Sequence, residues 1–153
     1  MNPARVISST PVIIEAPTAL VWSVLVDLPR YEAWNPLNRR AESELQVGEP
    51  IRLWISDAAI LGKEVMVEHH IFGIEAPFHI AWGYSDKSIR TRRDQYIAPT
   101  WSGSTVYRTT DSFDGPGADA ALAAYGFAIA DSFNRLAGAL KARCEQLLSD
   151  ETG

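Results

Sequence analysis

The chain has 153 residues, of which 46% are apolar and 22% charged, and its net charge at neutral pH is −5. That length suits one domain with a real core, about two-thirds of whose extended-chain surface leaves water on folding. The composition argues against a disordered chain. The negative charge speaks against nucleic acid as a partner, because binding it depends on clustered Lys and Arg.

From Arg5 to Ala16 the sequence is rich in β-branched residues (Val6, Ile7, Val12, Ile13, Ile14), which predicts a first strand. Pro17 then opens a helix, since the N–H it lacks has no partner in a first turn. Leu20, Val21, Val24, Leu25 and Leu28 recur at helical spacing up to Pro29. A second short helix is expected over Pro29 to Trp34, ending before Pro36 because the residue ahead of a proline avoids helical angles.

After Arg39 the pattern changes to short extended runs. Strands are expected at Ala41–Leu45, Pro50–Ile55, Lys63–Phe72, Phe78–Tyr84, Ile89–Ala98 and Ser104–Phe113. Turn-forming pairs such as Gly48-Glu49, Ala76-Pro77 and Ser102-Gly103 separate them. Such short connections imply hairpins, hence an antiparallel meander. Beyond Gly115-Pro116-Gly117, the residues Leu122, Tyr125, Ile129, Phe133, Leu136, Leu140, Cys144 and Leu147 make one apolar stripe on a helix of about thirty residues. A helix that long must pack against something, and the sheet is the only partner of sufficient size.

The fold expected is therefore α+β: a curved antiparallel sheet of about seven strands gripping a long C-terminal helix, with two short helices after the first strand. Without repeats or a linker, residues 1–153 read as a single domain. A curved sheet cannot touch a straight helix along its whole length, and the space left over is where a small ligand binds.

Cys144 is the only cysteine, so an internal disulfide is excluded, and its phase on the last helix makes it a small buried hydrophobe. The N-terminal MNPARVISST lacks the apolar core of a signal peptide. No run approaches the roughly 18 apolar residues that span a bilayer. A cytoplasmic protein without stable membrane insertion is the expectation.

Three stretches carry a family resemblance. Ile14 to Leu37 contains Ala16-Pro17, Val21-Trp22, Asp27, Tyr31 and Trp34-Asn35-Pro36 in that order. Ile74 to Trp82 reads IEAPFHIAW, and Gly103 to Gly115 reads GSTVYRTTDSFDG. Together they resemble the START-like (SRPBCC, helix-grip) superfamily over nearly the whole chain, and within it the bacterial polyketide cyclase/dehydrase-like branch. The superfamily includes lipid carriers, plant hormone receptors, aromatic polyketide cyclases and activators of a chaperone ATPase. The resemblance thus implies a hydrophobic or amphipathic ligand without naming it, because one fold hosts many activities.

Strand alternation selects the residues that face such a ligand. Tyr107, Thr109, Asp111 and Phe113 share one face of the last strand, which carries both of its aromatics and should face the helix. In the strand before it, Arg93 and Gln95 belong to the inward set with Ile89, Thr91 and Ile97, while Arg90, Arg92, Asp94 and Tyr96 face water. A buried guanidinium is costly unless paired. Arg93 is therefore either one half of an internal pair with Asp111 or an anchor for a carboxylate or phenolate, which its planar fork suits. Phe78, Ile80, Trp82 and Tyr84 form an apolar face, with Trp82 either core or cavity wall. Tyr125 and Phe133 should face the same interior from the long helix. Of the adjacent His69 and His70, Val65, Val67 and Ile71 favour His69 as the inward one, as a core residue or as a base; a bulge in the strand would reverse the choice. His79 is expected to be exposed, and Trp34-Asn35-Pro36 to be structural.

The ligand-facing set is then His69, Trp82, Arg93, Gln95, Tyr107, Thr109, Asp111, Tyr125 and Phe133. Three histidines and no cysteine pair give no zinc spacing, so neither a metal nor a cofactor is expected. There is no Gly-x-Ser-x-Gly elbow and no phosphate loop. The leading expectation is binding of a small hydrophobic molecule, such as a lipid, polyketide or aromatic acid. The alternative is a cyclase or dehydratase drawing its acid–base group from Arg93, His69, Tyr107 and Asp111. A third option, a protein-interaction module, requires an exposed apolar patch that the sequence does not display. A homodimer is left open.

Overall fold

The computed structural model describes residues 5–152. The first strand is broken into two short pieces, β1 (Val6–Ser8) and β2 (Val12–Ile14), which pair with different parts of the same neighbouring strand. The break falls at Ser9-Thr10-Pro11, where Pro11 has no N–H to offer a ladder. Ser9 bridges it: its N–H donates to the Thr109 carbonyl (2.9 Å) and its hydroxyl accepts from the Thr109 N–H (3.0 Å).

Helix α1 (Thr18–Val26) follows Pro17 and buries Val21, Val24 and Leu25. The second short helix is a 3-10 segment, Leu28–Ala33, closed by a hydrogen bond from the Tyr31 hydroxyl back to the Leu25 carbonyl. Asn35 accepts from the backbone N–H groups of Leu37 (3.0 Å) and Asn38 (2.8 Å), fixing the turn into the sheet. The remaining strands are β3 (Asn38–Ser43), β4 (Pro50–Ile55), β5 (Val65–Glu75), β6 (His79–Ser85), β7 (Arg90–Pro99) and β8 (Thr105–Asp114). Between β4 and β5 lies a helical turn that the sequence did not announce, α2 (Ala58–Leu61), capped by the Asp57 carboxylate on the Ala59 N–H. All pairings are antiparallel, in the order β1/β2, β8, β7, β6, β5, β4, β3.

The long helix α3 (Ala118–Thr152) lies across the concave face. From Phe133 onward it carries the buried side chains Phe133, Leu136, Ala137, Leu140 and Cys144. Polar side chains tie it to the first strand: Asn134 accepts from the Thr10 N–H (2.7 Å), Lys141 donates to the Ile13 carbonyl (2.7 Å), and Glu145 accepts from the Glu15 N–H (2.8 Å). Tyr125, expected inside, is 41% exposed. At 3.6 residues per turn it lies only about 20° round the helix from the buried Leu136, so its exposure comes from its place toward the N-terminal end of the helix and not from its azimuth. From Asp119 to Asp131 the helix has no fully buried residue, and Ala121, Leu122, Ile129 and Ala130 there are only partly buried against the core.

The core forms two apolar clusters. One gathers Ile14, Leu25, Ile51, Leu53, Ile71, Trp82, Tyr107 and Leu140; the other gathers Ile7, Leu37, Phe113, Phe133 and Leu136. Among the described residues no helix is long and apolar enough to cross a membrane.

Candidate functional site

The two clusters do not close completely on each other. Where they meet, between sheet and α3, a cavity of about 100 Å³ remains. Leu53, Val67 and Trp82 wall it from one cluster, and Leu37, Ile55, Ile60, Ile129 and Phe133 from the other. Its polar lining consists of Asn38, His69, Arg93 and Asp111.

The register of the sheet assembles these groups. Trp82 lies opposite Arg93 and Arg93 opposite Asp111, so β6, β7 and β8 place the three in one row across the concave face. His69 also faces in, while His70 is exposed; the bulge in β5 comes later, between Ile71 and Gly73, and leaves that choice intact. Phe133 covers the row from α3, its ring centroid 4.8 Å from the Arg93 guanidinium carbon; the Trp82 ring lies at 5.5 Å.

Arg93 is 7% exposed and has no carboxylate oxygen within 4.0 Å among the described residues. The direct pair with Asp111 is therefore absent, although the two residues are cross-strand partners. Arg93 donates instead through Nε to the Thr109 hydroxyl (3.1 Å) and through Nη2 to Gln95 Oε1 (3.4 Å). The Thr109 hydroxyl in turn donates to the Asp94 carbonyl (2.9 Å), and Gln95 Oε1 also accepts from the Tyr107 hydroxyl (2.6 Å). Gln95, Tyr107 and Thr109 thus form a buried layer behind Arg93 that holds its fork in place. Alternation identified them as inward but could not separate the groups lining the cavity from those supporting its wall.

Two buried polar atoms at the cavity, Asp111 Oδ1 and His69 Nδ1, have no hydrogen-bond partner among the described residues. Burial pushes the Asp111 carboxyl up to about 8, against the pull of Arg93 and with the help of Asp94. Burial likewise pushes the His69 ring down to about 4, reinforced by the charges of Arg93 and His70. Near pH 7 Asp111 is then mostly a neutral acid and His69 a neutral imidazole, so the guanidinium faces the cavity uncompensated. Two of its five N–H donors are engaged by protein groups.

Other expectations need correction. Phe78 and Tyr84, at the ends of their strand, are 50% and 39% exposed, which leaves Ile80 and Trp82 as its buried pair. Asp94 points outward but is buried, because Arg92 closes over it (3.2 Å) and His79 lies 2.7 Å away. His79 is consequently only partly exposed. Phe127 is 89% exposed in the first half of α3. Tyr125 is two residues away and points to a different side of the helix, so the two do not make one patch. A wider open groove of about 500 Å³ lies outside the core against Leu28, Pro29 and Ala41; its charged residues are exposed, and Glu42 among them pairs with Arg40 (2.6 Å) and Arg52 (3.9 Å). Among the described residues no three His, Cys, Asp or Glu side chains gather as a metal site requires.

No protein-family model matches the sequence, and no curated protein matches it. Solved structures do. A Nitrosomonas europaea protein superposes with a TM-score of 0.70 at 17% identity, covering 99% of both chains. A START superfamily protein from Mycobacterium smegmatis gives 0.66 at 18% identity, covering 93% of this chain and 98% of that one. The Zhui aromatase/cyclase of a Streptomyces species gives 0.69 at 18% identity, covering 94% and 95%. With its curved antiparallel sheet wrapped around a long C-terminal helix, the chain has the START-like helix-grip fold, the polyketide aromatase/cyclases being among its structural neighbours.

Proposed function

We propose that the protein binds a small hydrophobic or amphipathic molecule between sheet and long helix, with its apolar part against Val67, Ile60 and Ile129 and its polar end toward Arg93. The observation carrying this reading is the pairing of an apolar cavity with buried polar atoms that have no hydrogen-bond partner among the described residues, Asp111 Oδ1 and His69 Nδ1. Buried polar groups are nearly always satisfied. A ligand with a polar end satisfies these two and fills the space beside them. The START superfamily protein and the aromatase/cyclases among the structural neighbours are in keeping with this. Native mass spectrometry of protein purified under non-denaturing conditions tests it. A bound small-molecule mass is expected in the wild type and should be lost in Ile129→Trp, which fills the cavity from the helix side. If neither recovered nor added small molecules bind saturably, the reading is wrong.

One observation supports an enzymatic alternative, a cyclase or dehydratase. A carboxyl that holds its proton to about pH 8 and a neutral imidazole line the same cavity, and general acid catalysis needs an acid still protonated near neutrality. Turnover of a β-hydroxyketone would then depend on Asp111 and fall above pH 8. Unchanged turnover in Asp111→Asn would dispose of it.

A further inference from the structure

We infer that the ligand of this cavity is a short monocarboxylate of about four carbons, bound as its anion across Arg93 and Asp111. This rests on the reading of the cavity as a ligand site and narrows it by charge and by size.

The charge follows from what Arg93 lacks. A guanidinium stays protonated in proteins, and this one is buried without a carboxylate partner. Of the two nearest acids, Asp94 is turned to the other face of the sheet and engaged by Arg92 and His79. Asp111 retains its proton near neutral pH because it is buried. An unpaired buried cation is strongly unfavourable, so the cavity selects a ligand carrying the missing negative charge. The geometry of a carboxylate matches the groups available. One oxygen accepts from the Arg93 N–H groups not used by Thr109 and Gln95, and the other accepts from the protonated Asp111. His69 Nδ1, the second unpartnered atom, lies in the same lining. The rings of Trp82 and Phe133 lie over the guanidinium, 5.5 and 4.8 Å from its carbon.

The size follows from the volume. About 100 Å³ is less than the roughly 150 Å³ of a dry cavity that accepts benzene. A short alkyl chain fits beside Ile60, Val67 and Ile129, whereas a long-chain fatty acid or a folded polyketide would protrude from the cavity.

The site also senses pH through Asp111. The charged and titratable groups around that carboxyl are Arg93 and Asp94 on β7 and His69 on β5. Helix α3 presents Phe133 and Ile129, and β1 presents Ile7 opposite, none of which titrates. Once Asp111 ionises, it supplies the negative charge itself and competes with the ligand for Arg93.

The test is a methyl-resolved NMR titration of the full chain, observing Ile55, Ile60, Val67 and Ile129. The probes are butyrate, its neutral isostere butyramide, octanoate, and xenon as an apolar reporter. Butyrate is expected to bind at least about tenfold more tightly than butyramide, the difference that hydrogen bonds to a charged group supply. Octanoate should bind more weakly than butyrate. Arg93→Met should weaken butyrate by about tenfold or more and narrow its advantage over butyramide, and Arg93→Lys should recover part of the preference. Between pH 7 and pH 9 butyrate affinity should fall by about tenfold in the wild type and stay level in Asp111→Asn. If xenon or butyramide shifts the cavity methyls but butyrate binds no better than its amide, the carboxylate assignment is overturned and the ligand site stands. If no probe moves those methyls, both fall. The acid–amide comparison needs only the wild type, so it decides even if Arg93→Met does not fold.

Discussion

Asp111 and His69 show how the cost of burying a polar residue is expressed. The folded protein holds the Asp111 proton up to about pH 8, against an ordinary value of 3.8, so the stability linked to it is complete below pH 4 and is lost as the pH rises toward 8. The His69 ring behaves oppositely, with a folded value of about 4 against 6.5, so its contribution is lost as the pH falls from 6.5 toward 4. Between pH 4 and 6.5 the two trends oppose each other, and from 6.5 to 8 Asp111 acts alone. The unfolding free energy is expected to decline over that upper window by on the order of 1–2 kcal/mol, and Asp111→Asn should abolish the decline. Urea unfolding in half-unit pH steps measures this; a wild-type profile as flat as the variant's would mean that the carboxyl is already ionised. Alternation alone placed both side chains inward. It could not foresee that Arg93 would turn to Thr109 and Gln95 instead of Asp111, since that depends on rotamers within a 3 Å hydrogen-bond shell.

Among the elements, the strands β4 to β8 were legible nearly to their ends, because period-2 patterning and turn residues agree there. Gly83 shows what the pattern misses. A Cβ at that position would lie 2.0 Å from the Thr91 carbonyl oxygen and 2.5 Å from the Phe72 ring. Thr91 belongs to the neighbouring β7 backbone and cannot retreat without breaking the ladder, whereas the ring can move. Gly83→Ala is therefore expected to destabilise the protein by about 3 kcal/mol or more, seen as a lower urea midpoint at unchanged slope. A variant as stable as the wild type would mean that the β6–β7 pairing is looser than its register implies. The break between β1 and β2 and the turn α2 were not foreseen. The first depends on Ser9 bonding to Thr109, a residue a hundred positions away; the second is only four residues long, too short for any periodic signal. Tyr125 was misplaced because azimuth alone does not bury a side chain: it shares the face of the buried Leu136, but a residue on the stripe is buried only if the sheet extends beneath it.

At the scale of the molecule, the cavity lies on the seam between two apolar clusters, one under the second half of α3 and one under its middle. A ligand there touches both clusters, so its binding energy adds to the stability of the whole fold. Supplied at a hundred times its Kd, such a ligand should add about 2.7 kcal/mol to unfolding. For a chain of this length that is a rise of roughly 5–10 °C in Tm, measurable by calorimetry. A ligand that occupies the cavity without raising Tm would have to bind the unfolded chain equally well.

The sequence by itself determined the class of fold, the order of its main elements, the long gripping helix and the inward direction of Arg93, Asp111, Trp82 and Phe133. Those are consequences of residue periodicity and turn chemistry, both of which act over a few residues. Only the tertiary structure decided that Arg93 stays without a counter-ion, that Gln95, Tyr107 and Thr109 support it from behind, and that the space left over is small. These depend on register between strands distant in the chain and on how completely two clusters fill the volume between sheet and helix. Volume and charge compensation are sums over the whole packed interior, and no local stretch of sequence contains them.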